Sequence, residues 1–275
     1  MKIYKIEDIL NDLDECIKLC KPFSALRMGD GGIKIFHSIL YNDVDQLNSI
    51  IEKEGLPKNK LDNVMKLWTK FFNEANYIDT PYVYYSDEFW PRFKKGTTPI
   101  SKKTDIRMKM WKRLYKEFGI KNNNYCNPEL NYLVCINRKD KINIFDILKD
   151  RKIMCITTRN EIIEILKPKC KSVGIRRIVG HYENHYEKSF MKVIEFIETR
   201  ANNYDLWLVA AGELGRVYTG LIKHLGGRAL DTGFVIDYWC TGFIHPRLRR
   251  FLQQNPKNRL EFILTEEGNK YERFI

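Results

Sequence analysis

Apolar residues recur at Ile6, Ile9, Leu10, Leu13 and Ile17 with acids and lysines between them, a spacing near 3.6 that predicts an amphipathic helix at the start of the chain. The pattern then changes. "PFSALRM" is a short apolar run that predicts a buried strand, "GDGG" follows as a tight turn, and residues 32–41 read as the next helix. "VDQLNSIIEKEG", "KLDNVMKLWTKFFNEA" and "DIRMKMWKRLYKEFG" again carry helical spacing. Between the last two, "YIDTPYVYYSDEFWPRFKKGTTPISKK" is aromatic, basic and punctuated by Pro and Gly, so it reads as a long loop, serving either packing or contact with an acceptor.

Beyond residue 150 the alternation becomes regular. "KIMCITT", "IRRIVG", "LWLVAAG" and "RALDTG" predict strands, and "NEIIEILK", "SFMKVIEFIETRANN" and "GRVYTGLIKHLGG" predict the helices between them. Apolar runs alternating with helices are the signature of a parallel sheet covered on both faces. The expected architecture is one α/β domain over 1–275 with a helical and loop insertion at about 43–118.

Composition narrows the class. The 44% hydrophobic content supports a folded core, and 47 Lys and Arg against 35 Asp and Glu give a net charge of +12, a bias toward phosphates, nucleic acids or other anions. Seven cysteines lie scattered without CxxC spacing, which argues against a zinc site or a disulfide framework. The first twenty residues place acids among their apolar positions, unlike a signal peptide, and no stretch approaches the roughly 20 apolar residues of a membrane span. The expectation is a cytoplasmic protein.

Chemistry concentrates at three strand-to-helix turns, where open α/β sheets bind ligands. The first is "RMGDGG" at 27–32, with Arg27, Gly29, Asp30, Gly31 and Gly32. The second is "AAGELGRV", where Gly212 and Gly215 can open backbone N–H groups toward a phosphate or ribose and Glu213 stands between them. It satisfies neither G-x-G-x-x-G nor the P-loop pattern, since Ala210 stands for the first glycine and Arg216–Val217 for Lys–Ser/Thr. The third is "RALDTGFVIDYW", with Asp231 at a strand end, Gly233 in the turn and Asp237 beyond. Asp231 either faces the crevice or caps the next helix. Tyr238 and Trp239 read as core aromatics.

Together these segments resemble a known family. "FSALRMGDGG" is similar to the "RxGDGE" segment of the GT-D glycosyltransferases, and "LWLVAAGELGRVYTGLIKHLGGRALDTGFVIDYW" is similar to that family's C-terminal hallmark with its "aiDiG" strand. The matching stretches cover about 23–40 and 205–239. The resemblance implies a Rossmann-like, mostly parallel sheet and a nucleotide-sugar donor, commonly a UDP-sugar, whose sugar passes to a hydroxyl of a glycan or glycoprotein acceptor. On it, Arg27, Gly29 and Asp30 match the family's donor-site turn and Gly212 and Asp231 its C-terminal half; Gly31, Glu213 and Gly233, in the same turns, complete the expected donor contacts. If the reaction inverts, a carboxylate must accept the acceptor's proton, and Asp30 is the first candidate with Asp237 second.

The family's Asp-x-Glu holds a divalent metal, Mn or Mg, against the diphosphate, which makes Asp30 the metal residue here. Its partner position holds Gly32 instead of Glu. Two substitutes stand open: arginines neutralise the leaving diphosphate, with Arg27 first and Arg138, Arg159 or Arg216 helping, or Glu213 or Asp237 completes a metal site.

Other features carry less. His181 and His185 stand at i, i+4 but lack the zinc-protease acid, Cys16 and Cys20 read as one buried helix face, and "HPRLRRFLQQNPKNR" reads as a solvated basic surface. Two further functions remain: a basic nucleic-acid binder, favoured by "FWPRFKKGTTPISKK", and a transferase-like fold without activity, favoured by Gly32.

Overall fold

The continuous apolar runs form the middle of a single parallel sheet. The structure, a computed structural model, describes residues 2–4, 6–79, 113, 116–122, 124–126, 136–137, 142–241 and 261–262. Its sheet strands are β1 (Lys2–Tyr4), β2 (Phe23–Leu26), β3 (Tyr77–Asp79), β4 (Asn124–Cys126), β6 (Lys152–Thr157), β7 (Ser172–Arg177), β8 (Leu206–Val209) and β9 (Arg228–Asp231). They lie in the order β1-β4-β3-β2-β9-β8-β6-β7, and every neighbouring pair is parallel. A separate antiparallel pair joins β5 (Ile136–Asn137) to β10 (Glu261–Phe262).

The helices are α1 (Ile6–Lys18), α2 (Gly29–Leu40), α3 (Val44–Lys53), α4 (Leu61–Glu74), α5 (Ile144–Leu148), α6 (Ile162–Leu166), α7 (Met191–Arg200), α8 (Gly215–His224) and α9 (Val235–Thr241). Strand side chains alternate between two cores. Trp207 and Val209 of β8 pack with Phe36 of α2, Ile51 of α3, Trp68 of α4, Val193 of α7 and Tyr218 of α8. Leu206 and Leu208 pack with Leu13 of α1, Ile147 of α5, Leu166 of α6 and Ile236 of α9. A period of two on a sheet with helices on both faces is why β8 is apolar at every position. The outer strand β7 is half exposed, and it carries Arg176 and Arg177 on that edge.

Three expectations need correction. Residues 77–79, expected within a loop, pair with β2 and β4 as a strand of the sheet. "GDGG" is not a turn ahead of the helix but its first turn, since α2 begins at Gly29. Cys16 is buried on α1, whereas Cys20 lies beyond the helix end, exposed and with φ of 54°. α3 and α4, which fall within the stretch expected as an insertion, pack with the sheet through Leu47, Trp68 and Phe72. The remainder of "YIDTPYVYYSDEFWPRFKKGTTPISKK", most of "DIRMKMWKRLYKEFG" and all of "HPRLRRFLQQNPKNR" lie outside the described residues.

Candidate functional site

All the sheet strands point the same way, so their following loops gather along one edge. The register sets Ile156, Val209 and Asp231 at matching depth there. From β6 the chain crosses by α6 to β7, and from β8 it crosses by α8 to β9 in the opposite direction and on the opposite face. Divergent crossovers leave a crevice outside the strand ends, the usual ligand position in such sheets.

Arg27 leaves the end of β2 and meets Asp231 at the end of β9. Its Nε and Nη2 both donate to Asp231 Oδ1, at 3.2 and 3.0 Å. The aspartate side chain is 4% exposed and the arginine 17%, so a desolvated pair ties two strands together while part of the guanidinium still faces solvent. Asp231 is thus held at the strand end by Arg27. Gly233, with φ of 50°, passes beneath this guanidinium, and a methyl group there would overlap it. Both its left-handed backbone and the close approach require glycine.

A second arginine shapes the turn from below. Arg216 Nε donates to the carbonyl of Arg27 at 2.6 Å, Nη2 donates to the carbonyl of Met28, and Nη1 donates to the Glu213 carboxylate. Its cation also lies 5.0 Å from the Trp68 ring centre. Arg216 is buried at 4% side-chain exposure with all three nitrogens engaged, so it clamps the turn and is not available to a diphosphate, contrary to one expectation for it. Glu213 is likewise buried in that pair, and its carboxylate occupies the space a side chain at Gly31 would need. Gly32 lies under the same guanidinium, with a methyl there 3.2 Å from Arg216 Cζ. The glycines therefore let α2 settle onto a buried ion pair. Asp30 is the second residue of α2, and its side chain falls outside the described set.

The other predicted carboxylate is also paired. Arg159 Nε, on the loop after β6, donates to Asp237 Oδ1 at 2.7 Å, with both side chains about two-fifths exposed. That bond is the main cause holding the Arg159 guanidinium more firmly protonated than usual. Arg138 lies outside the described residues. Tyr238 is buried and Trp239 packs on Phe145 with ring centres 5.1 Å apart, so both are packing aromatics.

Sequence reasoning missed Glu54. It ends α3, and its Oε2 accepts the backbone N–H of Glu213 at 3.4 Å and lies against Gly212, whose φ is 52°. Its Oε1 is 3.7 Å from His181 Nδ1 on the loop after β7. No spacing signals such a role, because it arises where a helix end meets a turn 159 residues away. His185 turns inward from the same loop, 3.2 Å from the Tyr218 hydroxyl, so the two histidines do not converge on a common ligand. Burial, helped by the charge of His181, pushes the His185 imidazole down to about 4.

A divalent cation needs several free oxygen donors. Among the described side chains at this edge, Asp231, Glu213 and Asp237 are each held by an arginine, and no group of three His, Cys, Asp or Glu side chains converges. With Gly32 in place of the family glutamate, the described residues do not fit that metal. Among them, too, no helix is long and apolar enough to cross a membrane.

Comparison with known proteins draws the fold and the edge together. The class is that of the glycosyltransferase folds. A structure described as "A New Glycosyltransferase (DUF1792) from Streptococcus sanguinis" is 16% identical with a TM-score of 0.51, over 89% of this chain and 87% of that one. Another, described as the domain of unknown function 1792 with "a distinct glycosyltransferase fold", is 15% identical with a TM-score of 0.53, over 98% and 94% of the two chains. A selenomethionine-substituted structure of that domain is 12% identical with a TM-score of 0.56, over 98% and 94%. At these identities the likeness is one of fold. Residues 4–239 match the GT-D fold-like domain, and the chain belongs to that family. No curated protein matches it.

Proposed function

We propose that the protein is a glycosyltransferase that uses a nucleotide-sugar donor, most economically a UDP-sugar, and passes the sugar to a hydroxyl of a glycan or glycoprotein. The observation that carries the reading is the Arg27–Asp231 pair, which joins the two segments resembling the family's donor site across neighbouring strand ends. Arg27 and Arg159 are part-exposed cations at this edge.

In the reaction the bond between the anomeric carbon and the diphosphate oxygen breaks, and its electron pair leaves with the nucleoside diphosphate. Arg27 and Arg159 stabilise that developing charge, which is the dominant contribution such a site makes. The acceptor oxygen bonds to the anomeric carbon and its proton passes to a carboxylate, Asp30 first and Asp237 second. Asp231, Gly233 and Arg216 hold Arg27 and its turn in place, and Gly29, Gly31 and Gly212 let the turns close on Arg216, Glu213 and Glu54. No step passes through a metal.

Thermal shift with a panel of nucleoside diphosphates, run with manganese and with EDTA, tests the reading. UDP is expected to raise the melting temperature equally in both, and UDP-sugar turnover to persist in EDTA. Absence of any nucleotide effect, with salt-sensitive oligonucleotide binding instead, overturns it. Binding without turnover identifies an inactive relative, and turnover only with manganese overturns the arginine mechanism.

A further inference from the structure

The loop after β7 leaves the sheet at the same edge as the donor-side turns, since Arg177 pairs in register with Thr157. It folds back onto the end of α3, where the Tyr182 N–H donates to the Lys53 carbonyl at 2.9 Å and the Tyr186 N–H donates to the Gly55 carbonyl at 3.0 Å. A cavity of about 460 Å³ opens between loop and helix. Buried Ile51 and Leu56 form its floor; Asn48, Glu52, Asn184 and Glu187 form an exposed polar rim. An apolar floor with a few polar groups around it is the general composition of a small-ligand site.

We propose that this cavity is the acceptor site and that it takes a neutral, hydroxyl-rich saccharide; the assignment rests on the glycosyltransferase reading above. Three observations carry it. The first is charge: in a chain of net charge +12, the lining holds two carboxylates and no cation. That repels a phosphate and suits hydroxyl donors, while the arginines stand at the donor turns. The second is backbone: Tyr182 and Asn184 have φ of 62° and 54°, left-handed conformations that a residue other than glycine, asparagine or aspartate seldom adopts. They are held there by the end of α3, and the result presents the Tyr182 ring, with the residue 69% exposed, at the cavity mouth. An exposed aromatic face with amides and carboxylates around it matches a sugar ring, which offers C–H groups on one face and hydroxyls at its rim. The third is continuity: Glu54, next to the floor residue Gly55, reaches the Gly212 turn and accepts the Glu213 N–H, so cavity and donor edge share a wall.

Saturation-transfer NMR with the methyl glycosides of glucose, galactose and N-acetylglucosamine tests the site directly. At least one is expected to bind, and Tyr182→Asn, which keeps a residue tolerant of positive φ but removes the ring, is expected to weaken it at least tenfold. Glu187→Lys, on the exposed rim, is expected to do the same, with UDP binding and melting temperature unchanged in both variants. The cavity assignment is overturned if none of the glycosides binds, if both variants bind them as the unaltered chain does, or if saccharide and UDP binding fall together in folded protein. Failure of the unaltered chain to bind any nucleoside diphosphate overturns the donor reading instead, so the two failures are distinct.

Discussion

Arg27 owes its position to residues far along the chain: Asp231 accepts two of its donors, and Gly233 lets its plane lie flat against the following turn. Asp231→Ala leaves a largely desolvated guanidinium without its carboxylate, and removing one member of such a pair costs about 3 kcal/mol. Urea denaturation is expected to show a loss of that order, and UDP affinity to fall about tenfold. Unchanged stability and affinity would mean that the pair neither holds β2 to β9 nor orients Arg27. The residues of this pair were legible in the sequence because each ends an apolar run beside glycines. Glu54 and the burial of Arg216 were not legible. Both depend on which helix end or turn comes to rest against a residue more than a hundred positions away, and nothing local encodes that.

α8 and α4 approach so closely that Gly220 lies directly on the Phe71 side chain, where a methyl would stand 2.8 Å from Cδ2 and nearer still to Cβ and Cγ. In an isolated helix, Gly→Ala would gain about 1 kcal/mol. Overpacking costs about 1 to 3 kcal/mol and decides the sign here, because Phe71 is fully enclosed. Gly220→Ala is therefore expected to lower the thermal midpoint, and a raised midpoint would show that α4 yields. Since α8 also carries Arg216, the variant is expected to loosen the turn at Arg27 as well. Long helices such as α1 and α4 were legible from their periods, and β6 from its continuous apolar run. The three-residue strands β1, β3 and β4 were not, because three residues carry no period and their pairing is set by the sheet they complete.

Stability is a property of the whole molecule, and one buried imidazole links it to pH. His185, held neutral down to about 4, takes up its proton in the unfolded chain near its ordinary value of 6.5. Between those values the unfolded state binds more protons, so this stabilisation is full above 6.5 and is lost progressively as pH falls toward 4. The loss approaches about 1.4 kcal/mol per pH unit within that window. Denaturation midpoints from pH 7 to 4 are expected to fall more steeply for the native chain than for His185→Gln. Parallel curves would show that the histidine is not kept neutral by the fold.

The place of β2 in the sheet has a consequence for how the molecule comes into being. One side of β2 pairs with β3, some fifty residues later, but the other waits for β9, whose Asp231 lies 204 residues beyond Arg27. While the chain is being synthesised, a strand destined for complete burial keeps an open edge for most of its translation, the arrangement most prone to pairing with the wrong chain. So distant a closure also makes for slow folding. Fragments ending before β9 would accordingly aggregate rather than persist as folded intermediates, and the two halves of the binding edge would come into existence together, in the last step.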